Sequence, residues 1–211
     1  RDGYGRVSDI RLNGDTVRTY TYSAGGDLHS TKDYRDFLDD GTSYIKTAYQ
    51  RKDAGLIDKI TYTDHENGGT GVKKEEYSYT FNGRGYITDE TAYTNYGTAK
   101  TVEKEFVYDA IGRLTSATIG SDTRTYTYDA AGNRTTKAED GTTYTYNYNQ
   151  FNQLTSVQKG SDANYASYDY DNRGNQTQEQ IKKEFGETTK TVTTEYEYNL
   201  QNQMSEATVT A

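Results

Sequence analysis

A short segment of this sequence recurs at a fixed interval. The run Tyr-Asp-Ala-Ile-Gly-Arg-Leu at 108–114 returns as Tyr-Asp-Ala-Ala-Gly-Asn-Arg at 128–134 and, more loosely, as Tyr-Asn-Gln-Phe-Asn-Gln-Leu at 148–154. Successive copies begin 20 residues apart. Recurrence at this period indicates a repeat architecture, in which each unit is one supersecondary element that buries its apolar side chains only against its neighbours.

The fifth residue of the unit is a Gly or Asn, which we call the anchor, and it can be followed along the whole chain. The anchors are Gly5, Gly26, Gly55, Gly85, Gly112, Gly132, Asn152, Gly174 and Asn202. The intervals between them range from 20 to 30 residues. We therefore expect residues 1–211 to form a single repeat array, in which each anchor takes a positive φ that Gly and Asn tolerate.

Each interval between anchors holds a second turn signal, which we call the distal turn. These signals include Asn13-Gly14-Asp15, Asp39-Asp40-Gly41, Asn67-Gly68-Gly69 and Glu139-Asp140-Gly141. Between turns, aromatic residues fall at every second position, as in Thr125–Tyr128, which places the rings on one face of a strand. The sequence predicts an all-β fold, an antiparallel meander of repeated β-hairpins with about 17 strands in one long sheet.

The repeat signature has structural roles in this prediction. The first residue of the turn, Asp109 in one copy, accepts a hydrogen bond from a backbone N–H two residues on. The residue two after the anchor, such as Leu114, is apolar in most units and points to a half-buried face. Tyrosines on adjacent strands are expected to form cross-strand pairs. The signature residues are Tyr108, Asp109, Gly112, Arg113, Leu114, Tyr126, Tyr128, Asp129, Gly132, Asn133, Arg134, Tyr170, Asp171, Gly174 and Asn175.

The segment from Leu28 to Leu38 departs most from the pattern. It either extends a hairpin, the interpretation we favour, or forms a short helix.

The recurring Tyr-Asp-x-x-Gly-Arg-Leu and Tyr-x-Tyr-Asp-x-x-Gly-Asn-Arg motifs resemble the YD-repeat, or RHS-repeat, family. The resemblance is strong from Phe106 to Asn175 and loose elsewhere. It implies a β-sheet strip that curves or spirals into a hollow shell, as in bacterial RHS and toxin-complex proteins and in teneurins. It further implies a bacterial protein that is secreted or lies at the cell surface. The expected partners are flanking repeats and an enclosed or C-terminal passenger domain of a larger parent protein.

The composition agrees with an extracellular β-repeat and excludes other classes. A net charge of −8 opposes binding to nucleic acid. The mean hydropathy of −1.08 is typical of disordered chains, but the 23 tyrosines fall at repeating positions, which argues for order. The chain has no Cys, so disulfides do not stabilise it. No apolar run is long enough for a membrane span, and no signal peptide is expected.

The sequence predicts no catalytic, cofactor-binding or metal-binding residues, and hence a protein that is not an enzyme. Its only histidines are His29 and His65. His65 lies between Asp64 and Glu66, but no second cluster completes a metal or hydrolytic site, so we interpret 64–71 as a polar loop tip. Glu139-Asp140-Gly141 lacks the ligand spacing of a calcium loop.

Two functions from different classes remain. The first is structural: the chain forms the wall of a shell that encloses or displays a toxin, effector or other domain. The alternative is an adhesion module that binds glycans or cell walls through rows of exposed tyrosines. Buried tyrosine rows would favour the first and exposed rows the second. In either case, an unpaired edge strand permits an edge-to-edge homodimer.

Overall fold

The computed structural model describes residues 1–34, 43–52 and 55–211. All regular structure within these residues is β-strand, and the predicted all-β antiparallel meander is confirmed. Residues 28–34 of the 28–38 segment form a strand, whereas its remainder and the Asp39-Asp40-Gly41 turn lie outside the described residues.

The described strands alternate with turns from one end of the chain to the other. They are β1 Asp9–Leu12, β2 Asp15–Tyr22, β3 Leu28–Tyr34, β4 Tyr44–Arg51, β5 Ile57–His65, β6 Val72–Phe81, β7 Ile87–Asn95, β8 Ala99–Tyr108, β9 Leu114–Ile119, β10 Asp122–Tyr128, β11 Arg134–Glu139, β12 Thr142–Tyr148, β13 Leu154–Lys159, β14 Asp162–Tyr170, β15 Gln176–Phe185, β16 Thr188–Tyr198 and β17 Met204–Thr210.

The chain divides into two compact units. Unit 1 comprises Arg1–Val107 and Thr118–Ser121, and unit 2 comprises Tyr108–Ala117 and Asp122–Ala211. In unit 1, β1 to β8 pair antiparallel, each with the next strand in sequence. In unit 2, β10 to β17 do the same. Each unit is therefore a meander of hairpins.

The two faces of the unit 2 sheet differ in chemistry because side chains alternate along each strand. One face, the tyrosine face, carries Tyr126, Tyr128, Tyr144, Tyr146 and Tyr148; the other, the threonine face, carries Thr125, Thr127, Thr143 and Thr145. The register pairs Tyr146 with Val157, Val157 with Ala166, Ala166 with Ile181, and Ile181 with Val192. The most buried apolar residues of unit 2 thus lie on the tyrosine face.

The apolar core is thin. Val157, Ala166 and Val192 are 5%, 3% and 7% exposed, and no described side chain falls below 2%. Each unit must therefore be stabilised more by strand pairing and half-buried rings than by an aliphatic core.

The turns have the backbone geometry that Gly and Asn permit. All nine anchors have positive φ, between 60° for Asn152 and 96° for Gly132. Distal turns such as Asn13-Gly14 and Asp140-Gly141 have positive φ at both residues, the type I′ geometry that matches strand twist. The register shifts just before an anchor turn, for example between Thr127 and Tyr128. This bulge sets the tyrosine at the strand end beside the preceding repeat.

Candidate functional site

The first Asp of each anchor turn organises the turn. The backbone N–H of Asp109 donates to the carbonyl of Arg113 at 2.9 Å, and Gly112 N–H donates back to the carbonyl of Asp109 at 3.1 Å. The Oδ1 atom of Asp109 accepts from the backbone N–H groups of Ile111 at 3.0 Å and Arg113 at 2.9 Å. One carboxylate oxygen therefore satisfies two backbone donors that the tight turn leaves without strand partners.

The second carboxylate oxygen pairs with the side chain just after the anchor. Oδ2 of Asp109 accepts from Nε of Arg113 at 2.6 Å, and Oδ2 of Asp129 accepts from Nδ2 of Asn133 at 2.9 Å. In the fourth regular turn, Asp171 accepts from Nδ2 of Asn175 at 2.8 Å.

Where Asn replaces the Asp, the partner changes with it. The Nδ2 atom of Asn149 donates to Oε1 of Gln153 at 2.7 Å, so the direction of the bond is reversed. The Oδ1 atom of Asn149 still accepts from the backbone of Phe151 and Gln153 at 2.9 and 3.1 Å. The two positions thus form a matched donor and acceptor pair, which explains why the turn tolerates either residue.

These bonds favour the charged form of the turn carboxylates. Hydrogen bonds from the backbone and side chain of Arg113 lower the pKa of Asp109. The side chain of Asn133 and then the turn backbone lower the pKa of Asp129, and Asn175 does the same for Asp171. The shifts follow from hydrogen bonds that are stronger to the charged carboxylate than to its protonated form.

The side chain after the anchor also reaches the next turn. In addition to its own Asp, Arg113 donates from Nη1 to the carbonyl of Asp129 at 2.9 Å. The residues in the same position further along make equivalent contacts: Asn133 to Oδ1 of Asn152 at 2.9 Å, Gln153 to the carbonyl of Gly174 at 3.4 Å, and Asn175 to Oδ1 of Asn202 at 2.5 Å. Neighbouring turns are therefore joined in series along one edge of unit 2.

The tyrosine before most anchor turns makes a second recurring contact, to a backbone carbonyl at or near the start of the strand beside it. The hydroxyl of Tyr128 donates to the carbonyl of Leu114 at 2.7 Å, two residues after the preceding anchor. The same contact recurs from Tyr148 to Arg134 at 3.0 Å, Tyr170 to Leu154 at 2.9 Å, Tyr198 to Gln176 at 3.0 Å and, in unit 1, Tyr22 to Val7 at 2.8 Å. We call this contact the tyrosine latch. Phe81 and Arg51 hold the tyrosine position in two other repeats and lack the hydroxyl.

Guanidinium groups cover several of these rings. The Arg113 guanidinium lies 4.8 Å from the centre of the Tyr128 ring. Arg134, at a position that is apolar in most repeats, lies 4.4 Å from the Tyr146 ring and 5.9 Å from Tyr126. The side chain remains on the half-buried tyrosine face because its charge stacks on two rings.

The remaining signature residues are described by their burial and backbone φ. Tyr108 is half-buried at the end of β8, and Leu114 is half-buried at the start of β9. Gly112, Gly132 and Gly174 have φ of 93°, 96° and 89°. The residue two after the anchor was expected to be half-buried. Leu114 is half-buried, whereas Val7 and Met204 at the same position are 38% and 55% exposed.

Direct tyrosine–tyrosine contacts are fewer than the alternation suggests. Ring pairs among the described residues include Tyr34 with Tyr44, Tyr62 with Tyr77 and Tyr144 with Tyr165, at centroid distances of 5.6, 6.3 and 5.8 Å. Ring hydroxyls and stacked cations, rather than ring-to-ring ladders, are the recurring contacts of the tyrosine face. The sequence signal for the latch was the fixed place of Tyr before each turn, but its carbonyl partner depends on strand register.

The residues considered for chemistry are placed in ordinary structural contacts. His65 ends β5, and its ring stacks on Tyr44 at 4.5 Å. Its neighbour Asp64 is 8% exposed and lies 3.9 Å from Nζ of Lys74. Within the described ranges, His, Asp and Glu side chains form no group of three suited to a metal ion. The same ranges contain no helix of the length and apolarity needed to cross a membrane.

Comparison with known proteins gives both a sequence and a fold relationship. A crystal structure of TcdB2-TccC3-TEV aligns with 95% of this chain and 12% of its own, at 15% identity and a TM-score of 0.67. A crystal structure of TcdB2-TccC3 aligns with 90% of this chain and 13% of its own, at 15% identity and a TM-score of 0.48. The first match shows a shared fold, and this chain spans about an eighth of that protein's length. A search of curated proteins found no match.

Residues 108–143 match the RHS Repeat family. This is the segment in which the turn carboxylates, the Arg113 contact between turns and the Tyr128 latch are most regular. Residues 108–143 therefore carry RHS repeat sequence, and the resemblance to the YD- or RHS-repeat family that the recurring Tyr-Asp turns indicated is confirmed.

Proposed function

We propose that this chain is a non-catalytic segment of the wall of a β-sheet shell, which encloses or displays a toxin, effector or other domain of a secreted or cell-surface bacterial protein. The observation that carries the proposal is the tyrosine latch. In successive repeats, the hydroxyl that a binding surface would offer to a ligand is bonded to a backbone carbonyl of the adjacent strand, as in Tyr128, Tyr148 and Tyr170.

The same contacts count against a glycan-binding role for the tyrosine rows. Tyr126, Tyr128, Tyr146 and Tyr148 are all half-buried. Burial raises the pKa of Tyr148 and Tyr170, as expected for rings withdrawn from water. Stacking on a sugar requires an exposed ring face, so the tyrosine face is better suited to holding repeats together.

The fold relationship supports the proposal by analogy. The TcdB2-TccC3-TEV chain is about eight times longer than the part that matches here. By analogy, the partners of this segment are further repeats on either side, which cover its edge strands, and a domain that the repeats surround or present.

Limited proteolysis of the longer protein tests the proposal. If the wall encloses a passenger, trypsin should leave the passenger intact in the wild type. Combined Tyr128→Phe, Tyr148→Phe and Tyr170→Phe substitutions should weaken the wall and speed cleavage of the passenger. Equal cleavage rates in wild type and variant, with the variant shown to be destabilised, would count against enclosure.

A further inference from the structure

A groove lies within unit 2 between two neighbouring anchor turns, 149–153 and 171–174. Its volume is about 590 Å³, within the range of small-ligand sites. Residues that line it include Phe151, Gln153, Thr155, Asp169 and Arg173. Asp169 alternates with Tyr168 and Tyr170 along β14, so its side chain lies on the threonine face, away from the tyrosine latches.

The groove contains an aromatic ring that the repeat itself does not use. Phe151 is 72% exposed at the tip of its turn. The same turn position holds Ile111 and Ala131 in the two preceding repeats, so the turn geometry does not need a ring there. Small-ligand sites are concave and commonly lined by aromatic side chains, which is the setting of Phe151 in this groove.

Polar groups of both kinds surround this ring. Asp169 and Arg173 are exposed, and in the described chain neither the Asp169 carboxylate nor the Arg173 guanidinium makes a side-chain hydrogen bond. The carboxylate accepts hydrogen bonds and the guanidinium donates them. By contrast, Asp171 is engaged by Asn175 in its own turn. The groove thus brings a ring face together with an acceptor group and a donor group that make no side-chain hydrogen bond within the repeat.

We propose that this groove binds a neutral oligosaccharide. The Phe151 ring stacks on the apolar face of a pyranose, Asp169 accepts hydrogen bonds from sugar hydroxyls and Arg173 donates to sugar oxygens. The charge of the groove favours a neutral sugar, because Asp169 and Asp171 outnumber Arg173 and the chain carries a net charge of −8. Tyr168 and Tyr170 also line the groove, but the three side chains proposed to contact the sugar are not tyrosines and make no latch.

The test is calorimetric titration of the full chain with two neutral probes, cellotetraose and N-acetylchitotetraose. We expect at least one probe to bind saturably at one site per chain. Loss of the ring in Phe151→Ala should weaken that binding about ten-fold. Ile111→Ala is the matched control, because Ile111 occupies the same turn position and is 71% exposed, and it should leave affinity unchanged. Asp169→Asn should weaken binding about three-fold or more.

Three results would overturn the proposal. The first is that neither probe binds to the folded chain. The second is that Phe151→Ala and Ile111→Ala bind as the wild type does, which would place the sugar elsewhere. The third is a concentration-dependent dimer, seen by sedimentation, that Phe151→Ala abolishes, because the groove would then be occupied by a second copy.

Discussion

The hydroxyl of Tyr128 donates to the carbonyl oxygen of Leu114 at 2.7 Å, across 14 residues of sequence. The contact links the last residue of β10 to the first residue of β9, at the open end of the hairpin that these two paired strands form. Each latch therefore ties the end of one hairpin to its beginning, at the edge where the next hairpin starts.

Removing that hydroxyl should cost stability by a predictable amount. Tyr128→Phe leaves a half-buried carbonyl without its donor, and we expect the free energy of unfolding to fall by about 1 kcal/mol. Tyr126→Phe is the control, because Tyr126 lies on the same strand and face but makes no latch. Urea denaturation measures both. Equal losses from the two substitutions would show that the latch hydroxyl contributes no more to stability than the hydroxyl of Tyr126, which makes no latch.

Arg113 should not be replaceable by Lys. Its guanidinium bonds Asp109 and the carbonyl of Asp129 while stacking on Tyr128, which a single ammonium group does not reproduce. We expect Arg113→Lys to destabilise the chain by about 1–2 kcal/mol in urea denaturation.

Arg124→Lys provides the comparison for this substitution. Arg124 is 47% exposed and pairs only at the surface with Glu139, so the change should cost less than about 0.5 kcal/mol. If the two substitutions lower the free energy of unfolding equally, Arg113 does not stabilise the chain by bridging Asp109 and the carbonyl of Asp129.

The anchor should accept Asn better than Ala. Gly132 has a φ of 96°, and an added Cβ would meet no atom within 4 Å, so only backbone strain opposes a side chain there. Gly132→Ala should cost about 1–2 kcal/mol. Gly132→Asn should cost less, because Asn tolerates positive φ and already serves as the anchor at 152 and 202. Thermal unfolding of the two variants measures the difference, and a reversed order would contradict the strain argument.

Stability should fall in acid through the turn carboxylates. The pKa values of Asp129 and Asp171 are lowered in the folded chain, so their contribution is complete above the ordinary Asp pKa of about 3.9. It is lost as the pH falls through the lowered folded values, because the unfolded chain then binds more protons than the folded chain. Unfolding midpoints measured from pH 7 to pH 2 should therefore drop steeply at the acid end.

The double variant Asp129→Asn with Asp171→Asn isolates this effect. Asn149 shows that an amide oxygen still accepts the two backbone hydrogen bonds of the turn. The variant should be less stable than the wild type at pH 7 but should lose less stability on acidification. An unchanged acid slope would assign the pH dependence to other carboxylates.

Removing one whole repeat should preserve the fold. Deletion of residues 132–151 joins Ala131 to Asn152 and restores a complete anchor turn of 20-residue period. The shortened chain should unfold cooperatively with unchanged ellipticity per residue, because each repeat contacts mainly its neighbours. Deletion of 132–141 removes half a repeat and should abolish cooperative unfolding. If both deletions behaved alike, the repeat would not be the folding unit.

Much of this fold was readable from residue types alone. Gly132 and Asn152 predicted the positions of positive φ, and the Thr-Tyr alternation of 125–128 predicted a strand with unlike faces. These features are local, since they depend on one residue's φ or on a period of two.

The contacts between repeats were not readable in the same way. That Arg113 reaches the carbonyl of Asp129, or Tyr128 that of Leu114, depends on the register of paired strands and on the bulge at Thr127. The Phe151 groove was missed for a related reason: a single Phe in a degenerate turn has no sequence signal until two turns are placed side by side.

The anchor end and the distal end of each hairpin differ in how much they contribute to joining neighbouring hairpins, and this difference has a practical consequence. The side-chain bonds that join successive anchor turns of unit 2 lie at the anchor end, whereas the strands that lead to the distal turns differ in length, from six residues in β13 to eleven in β16. New sequence can therefore be grafted at a distal tip, such as Gly186, without disturbing how one hairpin joins the next. The length of each hairpin can therefore change while the anchor turns that join it to its neighbours stay the same.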